Sequence, residues 1–180
     1  MALVKLGAVS VDNIYLIGPM GSGKTAVGRR LARNLGLRFV DSDREIETRS
    51  GVSIDFIFDK EGEDGFRRRE REMLAELTLL SGVVLATGGG TIMDADNRRC
   101  LASNGTVVYL QTSVQQQCAR VGDAGTRPMI REGDELESRL TELMQLREPL
   151  YREIADLTVI TDRRHVATVA KDIIRQLEKL

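Results

Sequence analysis

An eight-residue run, Gly18-Pro19-Met20-Gly21-Ser22-Gly23-Lys24-Thr25, constrains this chain more than any other part of it. It satisfies the pattern G-x-x-x-x-G-K-[ST] and follows the apolar run Ile14-Tyr15-Leu16-Ile17. Strand, glycine-rich turn and helix in that order define a phosphate-binding loop. The glycines let successive backbone N–H groups turn inward around phosphate oxygens, and the following helix adds its positive end. Lys24 is placed to reach the β- and γ-phosphates, and the Thr25 hydroxyl to ligate Mg²⁺. A bare strand-to-helix turn has no packing use for Lys-Thr at this offset. The chain therefore reads as a binder of a nucleoside triphosphate.

Around that loop, apolar runs alternate with amphipathic stretches. Residues 14–17, 38–40, 83–86, 107–110 and 157–160 are candidate strands. Several are continuous Val/Ile/Leu, as expected of parallel strands buried on both faces. Helices are predicted over 25–35, 64–80, from Ser113 with Gln116 completing a capping box, over 136–154 and over 166–180. The alternation predicts an α/β fold with a central parallel sheet. The length of 180 residues suits a single domain with its own core. Twenty-six basic against 27 acidic residues give a net charge of −1, with no one-sign block for nucleic acid or an anionic membrane. Cys100 and Cys118 lie outside any metal spacing and read as reduced thiols. Residues 1–13 hold no secretory apolar region, and no run approaches the ~20 residues needed to span a bilayer. The expectation is a soluble cytoplasmic protein.

Four further groups look chemical. Asp41-Ser42-Asp43 follows the second candidate strand, at the carboxyl edge where open α/β sheets bind ligands. Strand alternation would point Asp41 and Asp43 the same way, about 7 Å apart, one toward a metal and one toward an acceptor hydroxyl. The alternative is a helix N-cap at Ser42 or Asp43. Thr87-Gly88-Gly89-Gly90 follows the third strand; one glycine would satisfy a tight turn, whereas three suit a ligand approaching bare main chain. Arg67-Arg68-Arg69-Glu70-Arg71-Glu72 reads mostly as an exposed helix face, but Arg67 follows Phe66, with Phe58 eight residues earlier. An aromatic pair beside a guanidinium suits a small ring carrying a carboxylate. Residues 121–134, with three glycines, a proline and two arginines, read either as a linker or as a mobile lid carrying Arg127. Arg147 either offsets a helix dipole or serves a site, and His165 reads as a surface or capping residue.

Together these residues resemble the shikimate kinase family over nearly the whole chain. The resemblance rests on the P-loop, Asp41-Ser42-Asp43, Gly62-Glu63-Asp64-Gly65-Phe66-Arg67, Ala86-Thr87-Gly88-Gly89-Gly90, Thr126-Arg127-Pro128 and Arg147-Glu148-Pro149-Leu150-Tyr151. It implies a five-stranded parallel sheet of the nucleoside-monophosphate-kinase type. Its single domain, 1–180, would carry the P-loop at 18–25, a shikimate-binding segment at about 42–70 and a lid at about 121–134. The implied reaction is ATP-dependent phosphorylation of the shikimate 3-hydroxyl, on the route to aromatic amino acids. Gly21, Ser22, Gly23, Lys24, Thr25 and Ala26 would wrap the ATP phosphates. Thr25 would bind Mg²⁺ directly, and Asp41 would support it through water. Asp43 would hold the attacking hydroxyl, while Arg67 and Arg147 grip the carboxylate. Amides of Gly88, Gly89 and Gly90 would hold the other hydroxyls, with Phe58 and Phe66 lining the ring pocket. Arg127 would cover the phosphates, and Arg120 and Arg164 would flank the adenine. The family implies a monomer acting on small molecules. Two other readings compete: a gluconate kinase of the same fold, and a nucleotide-dependent switch without a small acceptor. Neither accounts for Phe66-Arg67, the triple glycine and Arg147 together.

Overall fold

The computed structural model describes residues 5–6, 9–10, 13–122 and 133–180. Two short strands, β1 (Lys5–Leu6) and β2 (Val9–Ser10), pair antiparallel ahead of the main body. Then follow β3 (Asn13–Ile17), helix α1 (Lys24–Leu35), β4 (Arg38–Asp41), α2 (Ser42–Ser50), α3 (Ile54–Leu77) and β5 (Val83–Ala86). A 3₁₀ turn (Thr91–Met93) leads into α4 (Ala95–Asn104), β6 (Thr106–Gln111), α5 (Val114–Gly122), α6 (Gly133–Ile154), β7 (Leu157–Ile160) and α7 (Val166–Leu177). β3 to β7 form one parallel sheet in the order β4-β5-β3-β6-β7.

Why the inner strands carry apolar residues on both faces is clear from the two cores. Ile14 and Leu16 of β3 face one side, where Val27, Leu31 and Leu35 of α1 and Val169, Ile173 and Leu177 of α7 cover them. Tyr15 and Ile17 face the other, against Ile46 of α2, Met73 and Leu74 of α3, Leu101 of α4 and Tyr151 of α6. A strand buried on both faces has no polar side to alternate with. The five predicted strands are all present, each within two residues of its expected ends. The predicted helix over 64–80 is the second half of α3, which bends at Gly62 (φ 70°, ψ −175°). Helices α2 and α4 carry weak apolar stripes and are held by their N-caps and tertiary contacts.

The topology creates a crevice. β3 and β5 are neighbours, yet the loop after β3 leads to α1 on one face and the loop after β5 leads toward α4 on the other. Such a divergence opens a cleft at the carboxyl ends of the strands. The P-loop and the triple glycine are its two lips.

One cap carries a stability prediction. Asp94 accepts from the Asp96 and Asn97 amides at 2.8 and 3.1 Å and from Arg71 Nε at 2.9 Å. Burial alone would raise its carboxyl, but these donors outweigh burial and hold it below its ordinary value. Asp94→Ala is expected to cost about 1 kcal/mol, a fall in Tm of about 2–4 °C. With a lowered folded-state pKa, the contribution is complete above the ordinary carboxylate range and is lost as pH falls through the lowered value. The Tm gap between wild type and variant should therefore narrow on acidification. An unchanged gap down to pH 3 would count against the cap.

Candidate active site

The P-loop is built by its glycines and closed by its lysine. Gly23 is the N-cap of α1 with φ 91°, a backbone conformation that side chains other than glycine resist. Ser22 is buried and its amide donates to the Pro19 carbonyl at 3.3 Å. Lys24 Nζ donates to the carbonyls of Gly18 (2.7 Å) and Pro19 (2.8 Å), so the ammonium lies along the loop it belongs to. Ala26 is exposed in the first turn of α1.

Thr25 Oγ1 donates to Asp41 Oδ2 at 2.8 Å, joining the P-loop to the end of β4. A hydroxyl and an ionised carboxylate are hard oxygen donors. They fit Mg²⁺, which keeps several waters and takes the rest of its shell from substrate phosphates. Among the described residues no group of three or more His, Cys, Asp or Glu could hold a metal ion.

The expected common strand edge for Asp41 and Asp43 is not what forms. The chain turns helical at Ser42, so Asp41 ends β4 and caps α2, while Asp43 lies in the first turn of that helix. The cap is Asp41, rather than Ser42 or Asp43. Helical geometry then separates the two acids in direction, with Asp41 toward the P-loop and Asp43 toward the triple glycine. Asp43 Oδ1 lies only 2.8 Å from where a Cβ on Gly88 would stand. Between them Ser42 is buried, and its Oγ accepts the Gly88 amide at 3.2 Å. That amide is thus committed within the protein, which leaves Gly89 and Gly90 as the amides suited to an acceptor.

The triple glycine is crowded on three sides. A Cβ on Gly89 would come within 3.2 Å of the Met20 amide nitrogen, so this turn packs directly on the P-loop. A Cβ on Gly90 would stand 2.6 Å from the Arg67 guanidinium. Arg67 in turn donates to Glu70 at 2.7 Å and to Glu63 at 3.1 and 3.3 Å, and lies 5.3 Å from the centre of the Phe66 ring. Burial works against its charge, but Glu70 and Glu63 outweigh burial and raise its pKa. Phe66 stacks on Phe58, with ring centres 4.7 Å apart.

Arg147 arrives from α6. Its charge acts on the Tyr151 phenol, one turn later on the same helix, whose hydroxyl donates to the Gly89 carbonyl at 2.6 Å. One guanidinium thus borders the glycine turn directly, and a second neighbours the tyrosine that holds it. Arg120 joins the nucleotide side, donating to the Gly21 carbonyl (2.7 Å) and the Thr161 carbonyl (3.1 Å). Arg164 follows Thr161 but is held by the Ile160 carbonyl and by Asp172 of α7. Arg127 and most of the predicted lid lie outside the described residues.

Three contributors were not expected from the sequence. Glu70 sits in a charged run that reads as solvated, yet it is 2% exposed and accepts from both Arg67 and the Thr91 hydroxyl (2.6 Å). A buried carboxylate costs several kcal/mol unless paired, so its spacing of three from Arg67 was the available signal. Ser42 and Tyr151 lay inside quoted motifs, but nothing in their spacing announced their partners.

A phosphate loop, a hydroxyl–carboxylate pair suited to Mg²⁺ and an arginine-lined acceptor cleft define a P-loop small-molecule kinase. A family model described as shikimate kinase matches residues 20–178. A shikimate kinase of Pseudomonas entomophila is 53% identical over 168 residues, covering 93% of this chain and 97% of that protein. The solved shikimate kinase from Acinetobacter baumannii in complex with shikimate superposes with a TM-score of 0.90 at 46% identity, covering 94% of each chain. The chain belongs to the shikimate kinase family, and it is an ATP-dependent kinase. A gluconokinase from Sinorhizobium meliloti is similar at 19% identity and a TM-score of 0.59, covering 93% of this chain and 91% of that one, a likeness of fold alone.

Proposed function

We propose that this enzyme transfers the γ-phosphoryl group of Mg·ATP to the 3-hydroxyl of shikimate through the residues described above. The observation that carries the assignment of roles is the Gly88–Gly90 turn, which packs on the P-loop, is bordered by Arg67 and is held by Tyr151 of the helix that carries Arg147. Shikimate is a small ring with one carboxylate and several hydroxyls. Planar guanidinium groups suit the carboxylate because they donate parallel hydrogen bonds, and the Gly89 and Gly90 amides suit the hydroxyls. Phe58 and Phe66 supply an apolar wall.

On the nucleotide side, the P-loop from Gly21 to Ala26 receives the phosphates, and Arg120 fixes one edge of the base pocket. Arg164 flanks the same pocket through its loop. Thr25 would hold Mg²⁺ directly, with Asp41 supporting it, and the ion would supply positive charge against the phosphates. Asp43 accepts from the attacking hydroxyl and aligns it. Phosphoryl transfer passes through a loose transition state, so positioning and charge neutralisation by Lys24 and Arg127 provide most of the catalysis. Residues 42–70 serve as the acceptor segment, and residues 121–134 as a lid that keeps water from the transferring group. We take the enzyme to be a cytoplasmic monomer acting on small molecules alone. Its balanced charge and two unpaired cysteines support that placement. No helix among the described residues is long and apolar enough to cross a membrane.

The test is ADP release from ATP with and without shikimate, beside gluconate and a nucleoside monophosphate. Shikimate is expected to stimulate turnover by a factor on the order of 10³ or more, the scale of bringing an aligned acceptor to the reacting group. Equal stimulation by gluconate would sink the assignment.

A further inference from the structure

The triple glycine presents a physical problem that its own sequence does not solve. A peptide between two glycines lacks the side chains that ordinarily restrict backbone rotation, so its amide has little intrinsic direction. An amide that must meet one hydroxyl of an acceptor needs a tie from elsewhere. The Gly89 carbonyl and the Gly90 amide belong to the same planar trans unit, in which C=O and N–H point oppositely. Tyr151 donates to that carbonyl at 2.6 Å, and so fixes the rotation of the plane and turns the Gly90 N–H away from α6. On the other flank, Arg67 fills the space beside Gly90.

The phenol is itself rigid. Tyr151 is 1% exposed and stacks on Tyr109 with ring centres 4.9 Å apart and planes at 17°. Burial pushes its hydroxyl well above the ordinary tyrosine value despite the opposing Arg147, so it remains a donor throughout the working range. Arg147 stands four residues earlier on the same face of α6, and its charge acts on the phenol.

We infer that Tyr151 is a positioning residue of the acceptor site, holding the Gly89–Gly90 peptide in one orientation through its hydroxyl. The inference rests on the proposed roles of Arg147 and the glycine turn. With Arg147 one turn away on the same rigid helix, the amide that meets the acceptor's hydroxyls keeps a constant place relative to the group that meets its carboxylate. The site would thus favour acceptors that present both features at that spacing.

Steady-state kinetics of Tyr151→Phe, Arg147→Lys, the double variant and Tyr109→Phe test this. Phenylalanine at 151 keeps the ring and the stack and removes only the oxygen. Losing one hydrogen-bonded link is expected to raise KM for shikimate by roughly 10-fold in Tyr151→Phe, with KM for ATP unchanged and kcat within about 2-fold. Arg147→Lys is expected to raise the same KM, and the double variant to raise it by less than the product of the single effects, because the two residues are neighbours on one face of α6. Tyr109→Phe, whose hydroxyl has no hydrogen-bond partner among the described residues, should leave KM for shikimate as it is. Partial unfolding lowers the active fraction and hence kcat while leaving KM alone, so the readout survives a loss of stability. An unchanged KM in Tyr151→Phe beside a raised KM in Arg147→Lys would overturn the Tyr151 role and leave the site standing. Unchanged values in both would overturn the site as well. An equal rise in KM for ATP would show a general loosening of the sheet edge and also overturn it.

Discussion

Replacing Lys24 by alanine is expected to lower kcat by roughly 10²–10³, the effect of removing one preorganised electrostatic donor from a transition state that spreads negative charge over phosphoryl oxygens. Lys24 opens α1 at the P-loop, with its ammonium 2.7 and 2.8 Å from the Gly18 and Pro19 carbonyls. Those contacts cross the loop, so the variant also loses a tie between the start and the end of the motif. The two losses separate experimentally. A loosened loop weakens nucleotide binding in the ground state, whereas loss of the charge falls on kcat at saturating ATP. Steady-state kinetics together with ADP affinity and a melting curve make the measurement. A folded variant with most of its kcat would remove Lys24 from the catalytic set.

Asp43→Asn is expected to reduce kcat by about 10²–10⁴, the range for losing a positioned proton acceptor, while Mg·ATP affinity persists. Asn keeps the shape and offers only a neutral oxygen to the attacking hydroxyl. Asp41→Asn should behave differently, because Asp41 faces Thr25 at 2.8 Å rather than the glycine turn. Its activity should recover as magnesium rises, shifting the titration to higher concentration. The division follows from the chain turning helical between the two acids: one ends a strand and the other begins a helix, and their carboxylates serve opposite lips of the cleft. A magnesium titration of both variants decides. If Asp43→Asn moved the metal requirement, or kept near-normal kcat, the roles would have to be exchanged or withdrawn.

The sequence by itself determined the P-loop, the five strands and the family. These are local or periodic signals: a turn whose glycines cannot be replaced, short apolar runs, and motifs in a fixed order. Arg67 and Arg147, eighty positions apart, were recognisable through those motifs, but the packing of Arg67 on the glycine turn was not a property of either segment. Asp41 and Asp43 do not share a strand edge, because alternation holds only while the backbone stays extended. An Asp at the end of a strand is equally a helix cap, and tertiary packing of α2 settled which. Glu70 looked solvated because a charged run on a helix usually is; its burial came from the side on which α3 meets the glycine turn. Tyr151 shows the same limit more sharply. Its hydrogen bond to a carbonyl 62 residues away depends on α6 crossing the carboxyl edge of the sheet, and no spacing along the chain encodes that crossing. Tertiary structure decided which polar groups share a cleft, because burying a polar group demands a partner and the partner is chosen by proximity in space rather than along the chain.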